Sequence, residues 1–266
     1  MSRNFCIPIL LGLLCGLVVS PADAARTQGE GQFPLRRKTL PRSLKTSIII
    51  PCFHKHFECL PSLLAIYQQG PVLPDEVVIG LTASQRQFIP DTLYNEVVCG
   101  PWSFRITIAQ DPNDLPGDAR NAACQASSGE LLICQDADDI PHPSRLLAIK
   151  HLFENYDIDF LIHRWIQQDS VFPEYSLREI ENKCTYFRNY RSIEKAFDFL
   201  HNGDIALRRR VFDKVKWPGS VAVGPKGIGE DIQFNMKVLA NRSFRAAALD
   251  AYLMIYRWQL SSYQYR

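Results

Sequence analysis

Residues 128–139 read SGELLICQDADD. Leu131 to Gln135 is a short apolar run of strand length, and Gly129 stops the Ala-rich segment ahead of it. Asp136, Asp138 and Asp139 follow at once, three carboxylates in four residues. Like charges this close repel, and a strand end has no packing use for them. A hard divalent cation offsets the repulsion. Mg2+ or Mn2+ held through one or two carboxylates, with substrate phosphates completing its shell, suits the pattern. Such an ion neutralises charge building on a departing diphosphate. The plain alternative is an acidic turn in which Asp139 caps the next helix. For an isolated D-x-D-D that alternative is the better one; a place at the rim of a parallel sheet reverses the preference.

The flanking chain supplies such a rim. Thr46–Pro51 (TSIIIP), Asp75–Leu81, Phe104–Ala109 and Ile158–His163 are further β-rich runs. Between them lie helix-length segments: Phe57–Gln69, closed by Gly70-Pro71, then Asp118–Ser128 and Pro143–Tyr156. Strand and helix in alternation predict an α/β fold with a mostly parallel central sheet and helices on both faces. Ligands then bind beyond the carboxyl ends of the strands, so the loops after Ile50, Ile79, Ile108 and Cys134 share one rim. Residues 164–200 have no clean period and read as an acceptor-binding insertion or as irregular packing. Apolar patterning resumes in Ile205–Val211, Asp231–Leu239 and Ala246–Tyr256.

Lys plus Arg number 30 against 28 Asp plus Glu in 266 residues, which gives no reason to expect a nucleic-acid partner. Arg3, the apolar run Ile7–Val19 and Ala22-Asp23-Ala24 match the three parts of a secretory signal. Residues 1–24 are therefore read as a signal peptide or a short signal-anchor, through which any membrane association would run. Residues 25–45, basic and carrying Pro34 and Pro41, read as a linker or stem. The expected location is the secretory pathway: ER or Golgi lumen, secreted, or N-terminally anchored. Six cysteines follow the signal: Cys52, Cys59, Cys99, Cys124, Cys134 and Cys184. Their even number permits disulfides, although Cys134, in an apolar strand, reads as a buried thiol. Asn241-Arg242-Ser243 is a sequon.

Several blocks occur in a telling order: Ser47–Pro51 (SIIIP), Gly117–Ala123 (GDARNAA), SGELLICQDADD, the ALRRRVF segment beginning at Ala206, and Gly229-Glu230-Asp231. Together they resemble a family 2 glycosyltransferase of the GT-A fold, a Rossmann-like member of the nucleotide-diphospho-sugar transferase superfamily. The resemblance spans roughly residues 46–257, placing the domain at 46–260 and a tail at 261–266. It implies transfer of a sugar from a nucleotide-diphosphate sugar to a hydroxyl on a carbohydrate, glycoprotein or glycolipid, by single displacement with inversion and with Mn2+ or Mg2+. It implies that Asp136 faces the nucleoside and that Asp138 binds the metal bridging the diphosphate. Arg120 and Asn121 hold the nucleotide, Pro51 shapes the loop beside it, and Asp231 is the general base.

The chain departs from the family pattern twice. Ile79–Ser84 carries no acid where the family often reads the base, leaving the nucleobase open. Tyr256-Arg257-Trp258-Gln259 has no His, so a metal ligand is missing unless Gln259 serves weakly. Met254 and the lack of a transmembrane bundle speak against a processive synthase. Further acceptor-side candidates are His201, Asn202 and Glu230, each with a plainer account: a turn for His201-Asn202-Gly203-Asp204, a helix N-terminal charge for Glu230. Trp165 stacks on a sugar or is simply buried, and His54 and His56 read as solvated loop residues. A sugar nucleotidyltransferase is the less fitting enzyme, since Pro51–Lys55 lacks a Gly-rich loop. A catalytically inactive relative that binds carbohydrate or a partner is the remaining alternative.

Overall fold

The computed structural model describes residues 32–111, 113, 115–187, 202–219 and 229–257. In chain order its strands are β1 (Gln32–Phe33), β2 (Thr46–Cys52), β3 (Glu76–Thr82), β4 (Arg105–Asp111), β5 (Leu131–Cys134), β6 (Ile140–Pro141), β7 (Phe160–Gln167), β8 (Cys184–Phe187), β9 (Ile205–Arg208) and β10 (Ala246–Tyr256). Its helices are α1 (Leu60–Gln69), α2 (Ala83–Arg86), α3 (Asp91–Cys99), α4 (Pro116–Ala126), α5 (Arg145–Asn155), α6 (Leu177–Asn182), α7 (Arg209–Lys214) and α8 (Glu230–Ala240).

The unbroken apolar runs have a simple cause: both faces of the sheet are covered. Ile48, Ile50, Val77, Ile79 and Ile133 point into one core with α1, α3 and α5. Ile49, Val78, Leu132 and Cys134 point into the other with α4, α7 and α8. Burying each such side chain contributes roughly 1.5–3 kcal/mol, and the alternation fixes the register, because a one-residue slip would exchange the two cores.

The sheet runs in the order β1-β8-β10-β7-β9-β5-β2-β3-β4, with β6 beside β10. β5, β2, β3 and β4 are mutually parallel, as alternation predicts. The chain winds outward from β2 through β3 to β4, then returns to place β5 on the other side of β2. That reversal opens a crevice at the carboxyl ends of β2 and β5, where the carboxylates after Gln135 sit. Antiparallel partners enter from the less regular half: β9 pairs antiparallel with both β5 and β7, and β10 lies parallel to β7. Because β9 runs backwards, the 3-10 turn that precedes it, Asn202–Asp204, arrives at the same rim. Gly80 lets α4 lie directly on β3, since a Cβ there would stand 2.0 Å from the Ala119 carbonyl oxygen. This approach sets Arg120 at the rim.

Two expectations change. The segment read as a linker packs on the domain from residue 32 onward: β1 pairs with β8, Lys38 N–H donates to the Asn155 carbonyl (2.7 Å), and Leu44 is buried. The helix expected from Phe57 begins at Leu60, after a 3-10 turn over His54–Cys59, because Pro61 belongs in a first turn. Cys52, Cys59, Cys99, Cys124, Cys134 and Cys184 are free thiols, and Cys134 is buried as expected. The signal reading lies outside the described residues, which contain no helix long and apolar enough to cross a membrane.

Candidate active site

The rim is organised by one buried arginine. Arg120, near the start of α4, is 4% exposed. Its guanidinium donates to Asp136 Oδ1 (2.7 Å) and Glu230 Oε1 (2.5 Å) and lies 3.5 Å from Asp231 Oδ1. Burial alone would lower its pKa; Asp136, Asp231 and Glu230 reverse this and hold it above its ordinary value. Glu230 also accepts the Gly117 N–H (3.1 Å), so it caps α4 while standing at the start of α8. One side chain thus joins the loop after β5 to the first turn of α8.

The acid loop is held from below. Gln135 accepts from Tyr67 OH (3.0 Å) and donates from Nε2 to the carbonyls of Asp136 (2.8 Å) and Asp139 (3.3 Å). Asp138 faces His56 across 3.9 Å. Burial, then the charge of Asp136, pushes the Asp138 carboxyl up to about 6. Burial with Asp136 and Asp138 holds Asp139 well above its ordinary value, although Asp139 Oδ1 accepts the Arg257 N–H (3.0 Å). The Arg257 guanidinium donates to the Asp138 carbonyl, latching the exit of β10 onto the loop. Among the described residues no three His, Cys, Asp or Glu side chains are grouped to hold a metal ion. Asp136 and Asp138 stand side by side on this loop as hard carboxylate oxygens.

The model of glycosyl transferase family 2 matches residues 47–216. The chain belongs to that family. It is 24% identical over 205 residues to the succinoglycan biosynthesis protein ExoW of Rhizobium meliloti (strain 1021), covering 71% of this chain and 62% of that one. Among solved structures it resembles S. aureus TarS 1–349 in complex with UDP-GlcNAc, with TM-score 0.57, 18% identity, and 82% of this chain against 60% of that one. It also resembles the mannosyltransferase PcManGT from Pyrobaculum calidifontis in complex with GDP-Man and Mn2+, with TM-score 0.53, 16% identity, and 88% against 62%. The chain thus spans about three fifths of the length of these proteins. The structural likeness establishes the GT-A fold.

Within this family 2 domain, Arg120, Asp136, Glu230 and Asp231 come together, with Asp138 beside Asp136 on the same loop. Pro51 lies at the end of β2, opposite Gly80. The Asn121 amide donates to the Trp217 carbonyl (3.0 Å) and accepts the Trp217 N–H (3.1 Å), so it fixes that loop to α4. Arg120 answers the carboxylates of Asp136, Glu230 and Asp231. Glu230 accepts from Arg120 and from the Gly117 N–H. His56 is not solvated but buried against Asp138, and His54 is half-buried, its ring bonded to Gln85. Gln85, in α2 just after β3, holds the His54 ring from the turn after β2. Trp165 is half-buried, its ring 5.2 Å from that of Tyr256. Asn202 lies in the turn before β9; His201, Trp258 and Gln259 lie outside the described residues. Sequence reasoning missed Arg145 and gave Arg257 no role of its own. Arg145 left a trace, sharing a helical face with Ile149, Leu152 and Phe153.

Proposed function

We propose that this chain transfers a glycosyl group from a nucleoside-diphosphate sugar to a hydroxyl of a carbohydrate-bearing acceptor, with inversion and with a divalent cation. The observation that carries this is the convergence of Asp136, Glu230 and Asp231 on Arg120, beside Asp138, in the crevice where the strand order reverses. The complexes of TarS with UDP-GlcNAc and of PcManGT with GDP-Man and Mn2+ support the same chemistry. In this reading Asp138 holds Mn2+ or Mg2+, which when bound neutralises the leaving diphosphate. Asp136 faces the nucleoside. Asp231 takes the proton from the acceptor hydroxyl as its oxygen attacks the anomeric carbon. Arg120, 3.5 Å from Asp231 Oδ1, aims that carboxylate. No residue need form a covalent intermediate, because displacement with inversion takes one step.

A panel of nucleotide sugars with Mn2+ and simple glycan acceptors tests the reading. Asp231→Asn is expected to lower turnover by about 10²- to 10⁴-fold while leaving the fold intact. Unchanged turnover in that variant rejects Asp231 as base, and full activity in excess chelator rejects the metal. We read residues 1–24 as directing the domain into the secretory pathway; a cytosolic mature protein retaining them would contradict this.

A further inference from the structure

We propose that Arg145 is a positioning residue for the transfer reaction: from beneath the sheet it locks the acid loop and the Asn202–Asp204 turn into one rigid base under the donor. This rests on the function just argued.

Arg145 is 0% exposed. All five of its N–H groups are used. Nε donates to His163 Nε2 (2.9 Å). One terminal nitrogen donates to Tyr67 OH (3.3 Å) and Gln135 Oε1 (3.4 Å), the other to the carbonyls of Cys134 (2.8 Å) and Gly203 (2.8 Å). None of these acceptors is a carboxylate. Burying a guanidinium without a hydrogen-bonded counter-ion is expensive, and an apolar side chain would fill the same volume at less cost. Simple packing therefore does not account for it.

The partners identify what the side chain joins. Cys134 ends β5, immediately before the acid loop. Gln135 passes the connection on, its amide holding the Asp136 and Asp139 carbonyls. Gly203 belongs to the backward-running segment that enters β9. These two pieces touch again above Arg145: a Cβ on Gly203 would stand 2.9 Å from Asp136 Oδ2. Asp136 thus fits between Gly203 and Arg120, and Arg120 in turn holds Asp231. A shift of the turn displaces Asp136 and, through Arg120, the base. His163 completes the anchor. Its Nδ1–H donates to the Arg164 carbonyl (2.9 Å), which leaves Nε2 as acceptor for Arg145.

The full chain carrying Arg145→Lys tests this. Lysine keeps the charge but cannot reach five acceptors. Three quantities are read: the melting temperature, Mn2+-dependent binding of UDP and of GDP by calorimetry, and kcat with KM for donor and acceptor. The expected result is a folded protein with kcat lowered roughly 10- to 100-fold, the effect of a misplacement of about 1 Å. Nucleotide binding in Mn2+ is weakened and acceptor KM is unchanged. A purely structural role would lower the melting temperature and leave kcat and nucleotide binding of the folded protein at wild-type values; that result overturns the proposal. If Arg145→Lys does not fold, Gly203→Ala decides, because its methyl pushes on Asp136 from outside the Arg145 pocket. The same pattern is expected there, and wild-type behaviour overturns the proposal. A wild-type chain that neither binds nucleotide nor transfers sugar rejects the function itself, whereas an active wild type with indifferent variants rejects only the role of Arg145.

Discussion

Two sets of buried carboxylates sit at opposite ends of the same parallel strands, built by opposite rules. At the starting end, Glu76 opens β3 and is 1% exposed. It accepts from Ser47 Oγ (2.7 Å), Ser128 N–H (2.5 Å) and Ser128 Oγ (2.9 Å), and pairs with Arg105. Burial would raise its pKa; these donors reverse that and hold it at about 2. At the finishing end, burial and mutual repulsion push Asp138 up to about 6 and Asp139 and Asp204 above their ordinary range. Asp204 Oδ2 has no hydrogen-bond partner among the described residues. The first site is completed by the protein and supports the fold. The second crowds like charges at the rim and leaves a buried carboxylate oxygen unpaired, a burden the cation proposed above would offset.

Asp138→Asn breaks the comparison most forcefully. Turnover with nucleotide sugar and Mn2+ is expected to fall about 10²- to 10³-fold, the usual effect of losing one preorganised electrostatic contact. The melting temperature without metal is expected to stay the same or rise, because one of the loop's three crowded carboxylates is gone. A variant that melts earlier but turns over normally would make the acid loop a structural feature.

Glu76→Gln is the mirror experiment. It removes a charged acceptor from several donors and leaves Arg105 without its partner, so unfolding free energy should drop by about 1–3 kcal/mol. Turnover well below the melting point should be unaffected. The pH dependence has a definite sign. A folded pKa held below the unfolded value makes Glu76 stabilising above its ordinary value of 4.5, and that stability is lost as pH falls from there toward about 2. Urea midpoints at pH 7, 4 and 3 check this: the wild type should lose stability across that acid range more steeply than the variant.

Much of the starting end was legible in the sequence. Strands buried on both faces write themselves as continuous apolar runs, and SIIIP, DEVVIGL and LLICQ are such runs. Asp136 and Asp138 were legible because three acids after a strand need a reason. The rest depends on which strand lies beside which. Nothing local in Asn202-Gly203-Asp204 says that β9 runs antiparallel between β5 and β7, yet only that direction brings the turn to Asp136. Asn121 sits in the block that resembles a nucleotide-binding segment, but its amide is claimed by the Trp217 backbone, distant in sequence. Arg145 reads as an ordinary polar residue at a helix start. Its place on the apolar face with Ile149 and Leu152 was the available clue.

Asp204→Asn gives the smallest effect and the sharpest check on the opposite signs. Burial, with Asp136 and Asp231, pushes the Asp204 carboxyl up, and Arg145 offsets only part of this. A folded pKa above the unfolded one means that the folded chain keeps a proton the unfolded chain has released. Stability therefore falls as pH rises from the ordinary value of 3.8 through the folded value. Asparagine keeps the shape without the charge, so at neutral pH the variant should be as stable as the wild type or more so, by at most about 1 kcal/mol, or about 2–4 °C in Tm. The gain should shrink as the pH is lowered and the wild-type carboxyl becomes protonated. Thermal melts of both proteins from pH 4 to 8 measure this. If Asp204→Asn instead loses stability with the acid-side dependence expected of Glu76→Gln, Asp204 is a satisfied structural carboxylate, and the two ends of the sheet obey one rule.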